Sequence, residues 1–304
     1  MTAEEERAGT AYGLLAYGLW GLFPLFFVAL RPAGSWEILG HRVVWTFVVC
    51  AVVLLIRRDL AWARRLRSPR LAAAVVAAAL LIATNWVIYV FSVLSDRTYE
   101  AALGYFLNPL VTVALGVVVL RERLRPLRWA AVGVGVVAAV VLTVGGGSFP
   151  WISLSLAVTF GLYGLVKKQV GARLDAMHSL AAETAVLMPI ALLILGLVAA
   201  HGGQTFLHGG QHTALLLSAG PVTAAPLLLF AAAARRIPLV TVGLIQFITP
   251  VLQLLCGVVL LHEHVASGLW VGFAIVWVAL LLLSVDSLVS RTGRGIEAVE
   301  PGTA

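Results

Sequence analysis

Residues Leu103–Val144 read LGYFLNPLVTVALGVVVLRERLRPLRWAAVGVGVVAAVVLTV, and the pattern returns at Leu244–Val285, which begins LIQFITPVLQLLCGVVLLHEHVASGLWVGF. At a constant offset of 141 residues and without a gap, Leu103 falls on Leu244, Phe106 on Phe247, Pro109 on Pro250, Gly116 on Gly257, Leu120 on Leu261, Glu122 on Glu263 and Trp129 on Trp270. Matching apolar residues alone would be chance in so apolar a chain. A Pro, a Gly, a Glu and a Trp in one register are not, so the chain is expected to be two copies of one unit. The start of each copy also matches, Tyr17-Gly18-Leu19-Trp20-Gly21-Leu22 against Phe160-Gly161-Leu162-Tyr163-Gly164-Leu165, at an offset of 143 residues. The difference of two residues implies a small indel inside the unit. The expected halves are residues 1–147 and 148–304.

The chain has 304 residues, 61% apolar and 12% charged, and a mean hydropathy of +1.00. A soluble domain carries roughly twice that share of charge. Apolar runs of about 20 residues, enough for a helix to cross a bilayer core of about 30 Å, recur throughout. An all-α, polytopic membrane protein follows; a soluble protein with this sequence would have no surface to offer water. Ten spans are predicted, at about 11–30, 36–56, 71–94, 100–120, 129–145, 151–167, 178–200, 213–234, 239–261 and 268–289. The opening MTAEEER lacks the basic n-region of a cleaved signal peptide, so the first apolar run is expected to stay as a span. Cys50 and Cys256 both fall mid-span and are assigned to packing rather than to a disulfide.

The basic residues orient the spans. With the N-terminus in the cytoplasm, eighteen Lys and Arg fall in inside segments, only Arg31 and Arg97 fall outside, and Arg42 lies within a span. Both termini are therefore expected to be cytoplasmic, and the net charge of +7 is a topology signal and an attraction to anionic lipid rather than a nucleic-acid signal. The loop holding Glu122 then lies inside and its copy holding Glu263 outside. Five spans, an odd number, must return upside down. Accordingly the basic residues of RERLRPLRW are missing from HEHVASGLW. Two inverted five-helix repeats are the build of secondary transporters, whose halves rock about a central site.

Four stretches carry a resemblance to a known family: YGLWGLFPLFF, EILGHRVVW, TNWVIYVFSV and ALGYFLNPLVTVALGVVVLRERL. With them the chain resembles the EamA branch of the drug/metabolite transporter superfamily, and within it the RarD-type permeases, known as chloramphenicol-sensitivity proteins. The likeness runs from about residue 11 to 289. Its EamA-level part appears twice, while its RarD-level part rests mainly on the N-terminal half, since Thr249-Pro250 stands where the first half has Asn108-Pro109. The resemblance implies ten helices, an inverted pair of five-helix units, cytoplasmic termini and export or exchange of small metabolites, without naming the solute.

Polar groups inside spans are costly, and they normally face a bundle interior or a wet cavity. Arg42 and His41 stand out in the second span, with Glu37 one turn earlier. Arg42 can hold an anionic group, with His41 as a titratable neighbour able to couple to protons; alternatively Arg42 is tied to Glu37 or Glu183 in an ion pair that fixes packing. Asn85 and Tyr89, beside Trp86, suit either a site for a ring-bearing polar solute or interhelical hydrogen bonds. Tyr105 and Asn108 precede Pro109, and Gln246 and Thr249 precede Pro250. A proline in a span frees a carbonyl one turn back, so these repeat mates are expected to face each other across the pseudo-axis, lining a cavity or marking plain kinks. Trp20 and Tyr163 are candidates for a cavity wall, and the neighbouring glycines for close helix contact. Glu183 is either a proton or cation site or the partner of Arg42. Glu122 and Glu263 sit at span ends, where helix-end interaction and a gate bond are both open.

Other signals are weak. His262, His264 and the loop histidines lack HExxH or cysteine spacing, so no metal is expected. Glycines near Gly133 follow no strand, and the absence of a Walker lysine argues against ATP. No cofactor is expected. Gly268 and Gly272 form a GxxxG that marks a helix contact or a dimer face, leaving monomer and homodimer both open. The expected function is a secondary permease of the plasma (inner) membrane, moving a small organic metabolite or drug-like solute by alternating access, with protons as coupling ion in an efflux scheme. The alternatives are a lipid or lipid-precursor flippase and, further off, an integral membrane enzyme, for which no carboxylate cluster or Ser/His/Asp set is present. Membrane lipid is the expected surrounding partner.

Overall fold

The computed structural model describes residues 3–59, 66–120, 126–145, 149–171, 173–234, 236–237 and 245–297. Glu122, its neighbouring basic residues, Leu244, and Arg64, Arg65 and Arg235 lie outside the described residues. Among the described residues the regular structure is helical throughout, with no strand. The helices are α1 (Ala3–Gly21), α2 (Phe23–Ala29), α3 (Ser35–Ile56), α4 (Pro69–Leu94), α5 (Thr98–Leu120), α6 (Pro126–Gly145), α7 (Trp151–Gly171), α8 (Ala176–Ala200), α9 (Gly210–Ala234), α10 (Ile248–Leu255) and α11 (Ser267–Glu297). A π-helical turn, Cys256–Leu260, continues α10. Helices α3, α4, α8 and α9 are each long and apolar enough to cross a membrane, and α1 with α2 makes a fifth when its bend is taken within one span. The chain is a multi-pass membrane protein.

The first helix differs from the expected 11–30. It begins at Ala3 and breaks after Gly21, with a bend of 40° before α2. Pro24 has no N–H to offer the Trp20 carbonyl, and the Leu25 N–H turns instead to Leu22 O at 3.1 Å. Helix α10 donates into the last turn of α1. Thr249 Oγ1 reaches Tyr17 O at 2.8 Å, Gln253 Nε2 reaches Trp20 O at 3.2 Å, and Cys256 Sγ reaches Gly21 O at 3.7 Å. Residues four and three apart share one helix face, so one side of α10 braces the break. Gly21 permits the approach, since a Cβ there would meet Leu252 Cβ at 2.6 Å.

Taking α1 and α2 as one span, α3 packs along α8, α5 against α10 and α6 along α11. The other main interfaces come in pairs: α4–α7 with α1–α9, α5–α7 with α1–α10, and α3–α9 with α4–α8. Counting α1 and α2 together, each member of a pair turns into the other when every helix is exchanged for the one five places along. Pro109 lies inside α5 and Pro250 in the first turn of α10, on two helices that touch. The α6–α11 layer is apolar, with Leu142 and Ala138 against Phe273 and Val276, and it joins Phe106 of α5. A Cβ on Gly272 would run into Leu142, so this end of the GxxxG serves a contact within the chain.

Two buried acids secure helix ends. Glu263 accepts the N–H groups of Thr98 at 2.8 Å and Tyr99 at 3.0 Å, which caps α5. Glu37 accepts the N–H groups of Thr205 at 2.7 Å and Phe206 at 3.0 Å, and the Thr205 hydroxyl at 2.9 Å, which ties the 201–209 connection to α3.

Candidate functional site

The helices enclose a cavity of about 300 Å³. Arg42, Asn85, Tyr89, Tyr105, Asn108, Gln246, Thr249, Trp20, Tyr163 and Glu183 all border it, contributed by α1, α3, α4, α5, α7, α8 and the segment around α10. His41 does not. The structure places it in a separate cleft of about 230 Å³ with Glu37, Trp45 and Phe206. The physical reason is helical: adjacent residues point roughly 100° apart, so Arg42 facing the cavity turns His41 toward α8 and the loop. There His41 stacks on Phe206 at 4.6 Å, its Nδ1 takes the Trp45 indole N–H at 3.1 Å, and its Nε2 stands 4.0 Å from Glu37.

Arg42 is a buried charge on the cavity wall, 3% exposed. Its Nε donates to Thr223 Oγ1 at 2.9 Å, and its guanidinium lies over the rings of Trp86 at 4.2 Å, Phe27 at 5.2 Å and Phe23 at 5.5 Å. Tyr89 and Tyr105 are within electrostatic reach. Neither of the ion pairs expected for Arg42 forms: Glu37 is taken by the 201–209 connection and Glu183 by Lys167. Among the described residues no carboxylate stands within ion-pair distance of Arg42.

Glu183 gathers a second polar cluster. Its carboxylate accepts from Lys167 Nζ, from Ser179 Oγ at 2.8 Å and from Tyr163 OH at 3.2 Å, and Lys167 also reaches Ser179 at 2.7 Å. The Glu183 side chain is 2% exposed and that of Lys167 28% exposed, so the pair runs from the cavity wall outward. Aromatic rings join the two clusters. From Arg42 over Phe27, centroids follow at 5.7 Å to Tyr89, 5.7 Å to Tyr105, 5.8 Å to Phe160 and 6.0 Å to Tyr163. Tyr17, Trp20 and Phe230 stack as a triangle on the cavity wall, at 5.4 to 6.0 Å.

Some of the expected residues are spent on the scaffold. Asn85 accepts from Tyr105 OH at 3.1 Å and donates to Leu156 O at 3.1 Å and Thr159 Oγ1 at 3.0 Å, so its amide orients Tyr105. Thr249 braces Tyr17. Three polar cavity residues were not expected from the sequence: Thr223, Lys167 and Gln253. Gln253 had a signal, being an amide one turn beyond Thr249 on the same helix face. Lys167 sat at a predicted span end and passed for an orientation charge.

Comparison with known proteins gives this cavity its setting. The family model described as the EamA-like transporter family matches residues 150–285, the half in which only the RarD-level part of the likeness was weaker. Protein RarD of Streptomyces exfoliatus is 47% identical over 99% of this chain and 96% of its own. An uncharacterized transporter of Pseudomonas aeruginosa is 41% identical over 94% of this chain and 96% of its own. Protein RarD of Escherichia coli is 36% identical over 96% of this chain and 98% of its own. A solved crystal structure superposes with a TM-score of 0.60 over 92% of this chain and 98% of its own, at 19% identity, a likeness of fold alone. Identity of this extent over nearly full length, joined to the repeated motifs, means that the chain belongs to the EamA-like transporter family, as a RarD-type permease.

Proposed function

We propose that the chain is a secondary permease of the plasma membrane that moves a small organic solute bearing an anionic group, exposing the Arg42 cavity to each side in turn. The observation that carries this reading is Arg42 itself, a guanidinium 3% exposed with aromatic faces and the Thr223 hydroxyl around it and, among the described residues, no carboxylate at ion-pair distance. Leaving a buried charge uncompensated costs on the order of several kcal/mol. Cation–π contacts of about 0.5–2 kcal/mol offset part of that and do not supply a counter-ion. A carboxylate or similar group on the solute would supply it.

The same reading takes the spans as ten, in two inverted five-helix units with both termini in the cytoplasm. Support comes from the 141-residue repeat and the one-sided distribution of Lys and Arg, and from interfaces that interchange in pairs. Protons are the proposed coupling ion, with Glu183 as the cavity's acid and not His41. Monomer and homodimer are both compatible with this reading, with membrane lipid against the exposed apolar faces.

Metabolite pools and drug tolerance compared between cells with and without the protein would identify the solute, followed by transport of that solute in liposomes. An organic anion whose level changes and which crosses the liposome membrane supports the reading. Lipid movement without solute transport would favour a flippase and overturn it.

A further inference from the structure

Seven buried polar side-chain atoms lack a protein partner among the described residues, and four of them belong to residues that line one cavity: Arg42 Nη1, Tyr89 Oη, Asn108 Oδ1 and Gln253 Oε1. They come from α3, α4, α5 and α10, helices of both halves. Several other polar groups on the same wall are committed: Asn85 through both ends of its amide, Thr249 to Tyr17, and Lys167 and Glu183 to each other. Leaving a buried donor or acceptor unmade costs about 1–3 kcal/mol, so four on the residues of one cavity suit a polar ligand. Gln253 is informative about sign. Its Nε2 is spent on Trp20 O, which leaves the carbonyl oxygen as the free end of the amide.

Resting on the permease reading above, we propose that these four atoms form the recognition set, and that the solute is a ring-bearing organic anion that also carries an N–H or O–H donor. Arg42 Nη1 and the Tyr89 hydroxyl take the anionic group. Asn108 Oδ1 and Gln253 Oε1 are acceptors, and an acceptor is satisfied only by a donor on the solute. The rings of Trp20, Trp86 and Tyr105 between them offer flat apolar faces to a ring. An anion without a donor leaves two buried oxygens unmade, and a neutral amide leaves Arg42 uncompensated, so the site discriminates against both.

The test is calorimetric titration of the purified full chain in lipid nanodiscs with a matched series: 3-phenylpropionate, 3-phenyllactate, 3-(4-hydroxyphenyl)propionate and 3-phenylpropionamide. At least one of the two hydroxylated acids should bind about tenfold more tightly than 3-phenylpropionate, the scale of one well-made buried hydrogen bond. The amide should bind weakest. Gln253→Leu or Asn108→Leu should erase the advantage of the hydroxyl, and Tyr89→Phe should weaken the acids but not the amide. Equal binding of all acids, an amide that binds as well as the acids, or no binding in the series overturns the proposal. The ligand series on the unaltered chain decides this even where a variant fails to fold. A chain that carries an organic anion into liposomes yet shows no donor preference sinks this inference alone, whereas loss of anion transport sinks the permease reading.

Discussion

Glu263 Oε1 accepts the backbone N–H of Thr98 at 2.8 Å, so an acid from the turn after α10 caps the start of α5 from 165 residues away. With Oε2 on the Tyr99 N–H at 3.0 Å, two of the four unpaired donors at that helix start are satisfied. Glu263→Ala should therefore lower stability by about 1–2 kcal/mol and reduce the melting temperature in detergent, while Glu263→Gln, which keeps one acceptor oxygen, should lose less. An unchanged melting temperature for the alanine variant would remove the capping role.

The Lys167–Glu183 pair should behave as a unit. Lys167→Met strands Glu183 in the cavity wall with only Ser179 and Tyr163 as donors, and should destabilise by roughly 2–3 kcal/mol, below the full loss for a wholly buried pair because Lys167 is partly solvated. Adding Glu183→Gln should restore part of that stability. Additive losses in the double variant would mean that the two side chains do not depend on each other.

Proton coupling separates two candidates by position. His41 lies in the cleft beside Phe206 and Glu37, whereas Glu183 borders the solute cavity. Collapse of the pH gradient should slow transport by the unaltered chain. His41→Gln should keep that sensitivity, and Glu183→Gln should abolish it, measured as solute flux in liposomes with and without an imposed gradient. Retained sensitivity in Glu183→Gln would exclude that acid as the coupling group.

Orientation is accessible to chemistry because the native cysteines, Cys50 and Cys256, are free and buried. Single cysteines at positions 124 and 265, symmetry-related by the 141-residue repeat, should react with impermeant maleimide from opposite sides, 124 from the cytoplasm and 265 from outside. Labelling of both from one side would end the inverted arrangement.

Much of this was legible in the sequence, for reasons that can be stated residue by residue. Arg42 and Glu183 advertise themselves because charge inside an apolar run needs a polar surrounding. Tyr105, Asn108, Gln246 and Thr249 stand out because the repeat and its prolines set them in register. His41 faces a different cleft because sequence adjacency to Arg42 says nothing of direction: on a helix the two face different neighbours. The break at Leu22 was visible in principle as Pro24, but the carbonyls that α10 captures depend on a helix more than 220 residues later, as with Tyr17 and Thr249. Lys167 was hidden by its place at a span end, where charge is inexpensive. Asn85 looked like a site residue and is half scaffold, a distinction that requires knowing where Leu156 and Thr159 stand.

Arg42 can be tested without knowing how the halves move. Arg42→Gln removes the charge and the guanidinium while leaving a shorter, still polar side chain. In cells producing equal amounts of membrane-inserted protein, the metabolite difference made by the unaltered chain, and flux of that metabolite in liposomes, should fall at least tenfold, the scale of one lost charge-assisted contact of about 1.5–3 kcal/mol. Flux by Arg42→Gln equal to that of the unaltered chain would contradict the assignment of this cavity as the anion's path.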